Sequence, residues 1–167
     1  VTIVEKKLDR LRQLDDIWGP RLKTAYSTPQ TVVELVKGAD MLIGAVLIPG
    51  KKAPKLVTEK MIESMAPGSV FIDVAIDQGG CSETSHATTH AEPIYEKFGV
   101  NHYCVANMPG VVPRTSSFGL TNATLPYVLR LADAGWQQAL ASDTGFLNGL
   151  NVHAGAICCE AVATAHK

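Results

Sequence analysis

Charge of one sign, long apolar runs and patterned cysteine are what this sequence has least of. Lysine and arginine number 15 against 16 aspartates and glutamates, a formal net charge of −1. A balance this close supplies neither the basic stripe that nucleic acid requires nor the basic patch of a membrane-surface protein. No stretch reaches the roughly 18 consecutive apolar residues of a bilayer-spanning helix. The four cysteines, Cys81, Cys104, Cys158 and Cys159, match no zinc spacing, and the adjacent pair is ill placed for a relaxed disulfide. They read as free, largely structural thiols of a protein in a reducing cytoplasm. Internal repeats and low-complexity segments are absent, and so is any GxGxxG turn.

What is present is a 46% hydrophobic sequence of 167 residues, enough for one domain with a sizeable core or one domain plus a piece of another. Its organising stretch is Phe71-Ile72-Asp73-Val74-Ala75-Ile76-Asp77-Gln78-Gly79-Gly80. The apolar, β-branched opening has the composition of a strand buried on both faces of a parallel sheet. The stretch ends in an acid, an amide and two glycines. Open α/β sheets bind their ligands just outside the carboxyl ends of such strands, which makes Asp77 a candidate site residue. An ordinary strand stop is the other reading of the same residues.

Apolar runs recur around it. Residues 1–4, 21–26, 41–48, 69–76 and 101–105 read as strands, alternating with helical patterns. That alternation predicts a doubly wound parallel sheet with right-handed crossovers. The first strand closes in Glu5, followed by Leu8, Leu11, Leu14 and Ile17 at helical spacing. An acid there is what a dinucleotide fold uses to hold the adenosine ribose, although a carboxylate beside a helix start is also favoured by the helix dipole. Ser27 ends the next strand, where its hydroxyl either contacts adenosine or, with Thr28 and Pro29, caps a helix. Pro49 to Lys55 is a rigid loop with three lysines. His86 and His90 stand four apart, but the polar residues around them argue against a stable helix, and no third metal ligand is near. Asn107 ends the last strand, so Asp77 and Asn107 are expected to point into one crevice. From Pro113 the pattern turns helical, with a kink expected at Pro126 and a weak point at Gly135. The tail is expected to end in a helix over residues 158–166. The chain opens inside a core strand and holds no glycine-rich turn, so either the nucleotide reading is wrong or that turn lies before Val1.

Long motifs carry a family resemblance. Ile43-Gly44-Ala45-Val46-Leu47-Ile48-Pro49-Gly50 with Ala53-Pro54-Lys55-Leu56-Val57, then residues 73–80, Val105-Ala106-Asn107-Met108-Pro109, and Leu120-Thr121-Asn122-Ala123-Thr124-Leu125-Pro126-Tyr127 resemble bacterial alanine dehydrogenases. The resemblance is collinear over essentially the whole chain. It implies an incomplete Rossmann-type sheet over residues 1–110, beginning at its second strand. Residues 111–167 would then be a connecting helix and the returning segment of a split catalytic domain. By position, Glu5 matches the acid at the adenosine ribose, with Arg10 and Ser27 beside the adenosine. Val46, Leu47, Val74 and Val105 line the NAD cofactor at strand ends. Asp77 matches the acid at the nicotinamide ribose and reaction centre, where burial is expected to raise its pKa and let it share proton work with water. Asn107 and Met108 match residues at the nicotinamide and substrate end.

The implied reaction is reversible oxidative deamination of L-alanine to pyruvate and ammonia, with hydride passing to NAD. Glu5 argues for NAD over NADP, because an acid repels a 2′-phosphate. No metal, nucleic acid or membrane enters the implied function, and the family implies a cytoplasmic homohexamer. The family's histidine acid/base and carboxylate-binding residues have no counterpart here. If the chain truly starts at Val1, it is a silent fragment of such an enzyme. The NAD-binding subunit of proton-translocating transhydrogenase is the nearest alternative, sharing the Pro49–Val57 region, but members of that family tend to lack the acid at position 77.

Overall fold

β-Branched residues favour extended backbone, and Thr2–Glu5 forms β1. It pairs in parallel with β2, Lys23–Tyr26, with Glu5 opposite Tyr26. Helix α1, Leu8–Trp18, joins them and turns Leu11 and Leu14 into the core. Pro20 lies in a 3-10 turn over Gly19–Arg21, so β2 starts later than the residue-21 start expected from sequence. The computed structural model describes residues 1–48 and 52–165. Pro49, Gly50 and Lys51 of the basic loop, and His166 of the expected tail helix, lie outside the described residues. The chain divides into two compact units, one of Val1–Val46 and Pro54–Val105, the other of Leu47–Ala53 and Ala106–Lys167.

In the first unit, helix α2 (Pro29–Lys37) leads to β3, Met41–Gly44, and helix α3 (Glu59–Glu63) leads to β4, Val70–Asp73. With β5 (Ile94–Lys97) and β6 (Val100–Tyr103) they form a four-stranded sheet in the order β3-β4-β6-β5. The pairs β3–β4 and β4–β6 are parallel, and β5 runs antiparallel to β6. Strand β1 pairs with β2 in a separate two-stranded sheet. The parallel α/β architecture is therefore present, with one strand more than the sequence reading contained. That strand, β5, is joined to β6 by Phe98 and Gly99, both at positive φ (55° and 74°). Two left-handed residues give the turn whose twist suits a tight hairpin. Gly99 suits this backbone but phenylalanine rarely adopts it, so only half of the usual two-residue turn signal is present.

The strands also stop earlier than expected: β3 at Gly44 rather than Ile48, β4 at Asp73 rather than Ile76, and β6 at Tyr103 rather than Val105. Around them Ile62, Phe71, Val100 and Val105 are fully buried.

The second unit carries a long helix, α4, Pro113–Ala141, then a short helix, α5, Thr144–Leu147. The interruption of α4 is at Gly135 (φ 71°, ψ 157°), the weak point expected there, and Pro126 lies inside the helix. Glycine alone reaches that backbone without a Cβ penalty. The tail contains a two-stranded hairpin, β7 (Val152–His153) with β8 (Ala156–Ile157), ahead of the expected final helix and not foreseen from sequence. Helix α6, Glu160–Ala165, closes the described chain. Among the described residues, no helix is long and apolar enough to cross a membrane.

Helix α2 shows how local chemistry sets an element. Thr28 has extended backbone and its hydroxyl accepts from the Thr31 amide at 3.0 Å, with Pro29 as the first helical residue. Thr28→Ala leaves that amide unpaired and is expected to cost about 1 kcal/mol of folding stability, read as a lowered midpoint in urea denaturation at unchanged slope.

Candidate functional site

The end of β4 is built on a buried carboxylate. Asp73 has no exposed surface. Its Oδ1 accepts from the Ala75 amide at 3.0 Å, and its Oδ2 accepts from the Cys81 amide at 2.8 Å and from the Ser85 hydroxyl. A buried carboxyl group is tolerated where such donors satisfy its oxygens. These bonds stop the strand and draw residue 81 back to the strand end. Residues 74–80 are thereby forced out as a compact turn, with a 3-10 segment at Ile76–Gln78. Gly79 and Gly80 follow at φ 92° and 74°. A Cβ on Gly80 would lie 2.6 Å from Ser85 Cβ and 2.8 Å from Asp73 Oδ2.

Asp77 rides on this turn and is exposed. The burial expected from sequence belongs to Asp73 instead. Two acids four residues apart were both available, and the length of β4 decided which one remained inside. The neighbouring Cys81 thiol is pushed up to about 12 by burial and then by the Asp73 carboxylate, which leaves it a protonated core group. Cys104 is likewise buried, Cys158 is exposed, and all four cysteines are free.

Glu5 and Ser27 stand at the carboxyl ends of β1 and β2. The Ser27 amide donates to the Glu5 carbonyl at 3.0 Å, so the structure brings the two together. Glu5 Oε1 accepts from the Lys6 and Lys7 amides at 2.6 and 2.9 Å. Those bonds, Lys7 first, hold the Glu5 carboxyl below the usual glutamate range. Ser27 does not cap α2, since Thr28 does. Arg10 Nη1 donates to Gln13 Oε1 one turn along α1.

Val74 follows β4, half exposed, with its amide on the Gly44 carbonyl at 2.8 Å. Val46 lies beyond β3 and is partly exposed. Val105 is fully buried and packs as core. Leu47, Asn107 and Met108 belong to the second unit. Leu47 is 69% exposed there. Asn107 adopts a left-handed backbone (φ 58°, ψ 52°) ahead of a 3-10 turn over Met108–Val111. Asp77 and Asn107, expected to share a crevice, thus fall in different units.

Sequence reasoning missed Asp73, and it missed a buried histidine. His102 Nδ1 lies 2.9 Å from the Val100 carbonyl, which can only accept, so Nδ1 carries the proton and Nε2 accepts from the Thr84 hydroxyl at 2.9 Å. Burial lowers the His102 pKa. His86 stacks on Tyr95 at 3.7 Å between ring centroids and is not on a helix with His90. Among the described residues, no group of three or more His, Cys, Asp and Glu side chains is placed to hold a metal ion.

These features define a class: an open parallel α/β sheet of the dinucleotide-fold type, with acids and glycines gathered at strand carboxyl ends. Residues 1–160 match the family model described as alanine dehydrogenase/PNT, C-terminal domain, and the chain belongs to that family. A curated alanine dehydrogenase of Halomonas elongata is 59% identical over 165 residues, covering 99% of this chain and 44% of the relative. A solved L-alanine dehydrogenase superposes with a TM-score of 0.86 at 47% identity, over 99% of this chain and 46% of that one. A solved transhydrogenase from Sinorhizobium meliloti gives a TM-score of 0.62 at 28% identity, over 71% of this chain and 34% of that one. The chain thus spans less than half the length of the relatives it matches.

Gly80→Ala meets both the positive φ and the two short contacts, and is expected to destabilise the first unit by about 1–3 kcal/mol in urea denaturation. Glu5 has its own signature. Its depressed pKa contributes stability that is fully present above the ordinary glutamate pKa and is lost as pH falls through the lower folded value. The stability difference between the unmodified chain and Glu5→Gln should therefore be constant above about pH 5 and shrink steadily below about pH 4.3.

Proposed function

We propose that this chain is the nucleotide-binding and returning part of an alanine dehydrogenase, catalysing reversible, NAD-dependent oxidative deamination of L-alanine. The observation that carries the reading is likeness over the chain's whole length to alanine dehydrogenases, in sequence and in structure. The transhydrogenase likeness is weaker in identity, superposition and coverage. Strand order supports the same reading. The neighbour pairs β1–β2 and β3–β4–β6, each parallel, are ones that the 3-2-1-4-5-6 order of dinucleotide folds also contains.

The residues present fit the adenosine end of NAD. The Glu5 carboxylate is fixed by two amides beside Ser27, as a ribose diol requires, and its charge disfavours a 2′-phosphate. When bound, NAD supplies the hydride acceptor. Arg10 would flank the adenosine, and Val46, Leu47 and Val74 would shape the wall along the cofactor, while Val105, fully buried, serves as core. Asp77, on its glycine-bounded turn, would sit at the nicotinamide ribose and handle protons exchanged with water. Asn107 and Met108 would face the substrate end.

Overall, L-alanine, water and oxidised NAD give pyruvate, ammonium and reduced NAD with release of a proton. Residues 1–110 would form the Rossmann domain, and residues 111–167 the connecting helix and returning segment of a catalytic domain. Exposed apolar residues along α4, including Phe118, Leu120 and Leu129, suit a helix covered in a larger assembly, consistent with a cytoplasmic homo-oligomer, a hexamer by family resemblance.

In the intact enzyme, Asp77→Asn is expected to lower kcat for alanine oxidation by about 100-fold or more, with the Kd for NAD within about threefold of the unmodified enzyme. Unchanged turnover would remove Asp77 from the chemistry. An intact protein that binds NAD yet forms no NADH from alanine would return the reading to the transhydrogenase alternative.

A further inference from the structure

We propose that Lys55 is the positioning residue of the Asp77 turn, an inference that rests on the reading of Asp77 given above. The amides at the end of this turn are satisfied from within it or by Asp73. Gln78 and Gly80 donate to the Ala75 carbonyl at 3.0 Å each, Gly79 donates to the Ile76 carbonyl at 2.9 Å, and Cys81 donates to Asp73. The carbonyls of Gly79 and Gly80 face the other way, toward the end of the basic loop. Lys55 Nζ donates to the carbonyls of Gly79 at 2.7 Å, Gly80 at 2.9 Å and Ser82 at 2.8 Å. An ammonium has three donors, and all three are used. Leu56 and Val57 complete the seam with their amides on the Cys81 carbonyl, at 2.8 and 3.1 Å.

The consequence is mechanical. Gly79 and Gly80 have no side chains to pack and more backbone freedom than any other residue type, so two consecutive left-handed glycines make a hinge just beyond Asp77 and Gln78. Asp73 fixes the two ends of the turn from inside the core. Lys55 fixes the hinge carbonyls from outside it, through charge-assisted bonds that are roughly twice as strong as neutral ones. Lys55 also lies on the segment leading away from β3, so it ties the loop after β3 to the loop after β4. A carboxylate on so short a turn keeps its place while both anchors hold. Lys55 touches no reacting group itself; it acts through Asp77.

The test is a double-mutant cycle on the intact enzyme, with folding followed by thermal melting. Lys55→Met keeps the side chain's bulk and removes every donor. It is expected to lower kcat for alanine oxidation by about 10- to 100-fold, the effect of displacing a catalytic group by about an ångström, with KM for NAD within about threefold. In an Asp77→Asn background the same change should cost less than about threefold further, because the group it positions is already gone. Lys55→Arg keeps the charge but cannot bring three N–H groups to one point, and should fall between the two. If Lys55→Met does not fold, Lys55→Arg is read through the same cycle. Equal losses in both backgrounds would overturn the proposal in favour of general loop stability. Full activity in Lys55→Met, with Asp77→Asn crippled, would overturn the clamp and leave Asp77 in place. Full activity in Asp77→Asn would instead remove the reading on which the clamp rests.

Discussion

The hydrogen bonds to the buried Asp73 carboxylate are the constraint on which this structure depends. A carboxylate without exposed surface must be fully solvated by protein groups, and the groups available are the Ala75 and Cys81 amides and the Ser85 hydroxyl. Satisfying them fixes where β4 ends and how the following turn is shaped. It also fixes the crowding that excludes any side chain at Gly80. The high pKa of Cys81 and the exposure of Asp77 follow from the same geometry.

A second regularity is the use of strand ends. In parallel sheets the carboxyl ends of neighbouring strands lie along one edge, so residues far apart in sequence become neighbours without any dedicated contact. Glu5 and Ser27 meet this way, through one backbone hydrogen bond. Val74 meets Gly44 in the same manner, through its amide. The candidate cofactor residues of the first unit are thus a product of register as much as of side-chain chemistry.

Much of this was legible in the sequence. Apolar runs of strand length separated by helical periods suffice for a parallel α/β fold, because both patterns repeat within a few residues. The acids and glycines near residue 77 were equally plain. Other features were not. Strand β5 hides behind a turn at Phe98 and Gly99 in which a phenylalanine takes the first left-handed position, where Asn, Asp or Gly is usual. The break in α4 falls at Gly135, foreseen only as a weak point, whereas Pro126 is the stronger local breaker. The buried acid is Asp73, not Asp77.

By itself, then, the order of amino acids determined the fold class, the family and the position of the site turn, since each is written in short-range pattern. Tertiary structure decided which carboxylate is buried, where each strand stops and what holds the turn. The physical reason is the distance of the partners. Asp73 is solvated by groups up to 12 positions away, and the turn carbonyls are held by a lysine 24 to 27 positions distant. No local window contains both halves of such a contact, and only the folded sheet brings them together.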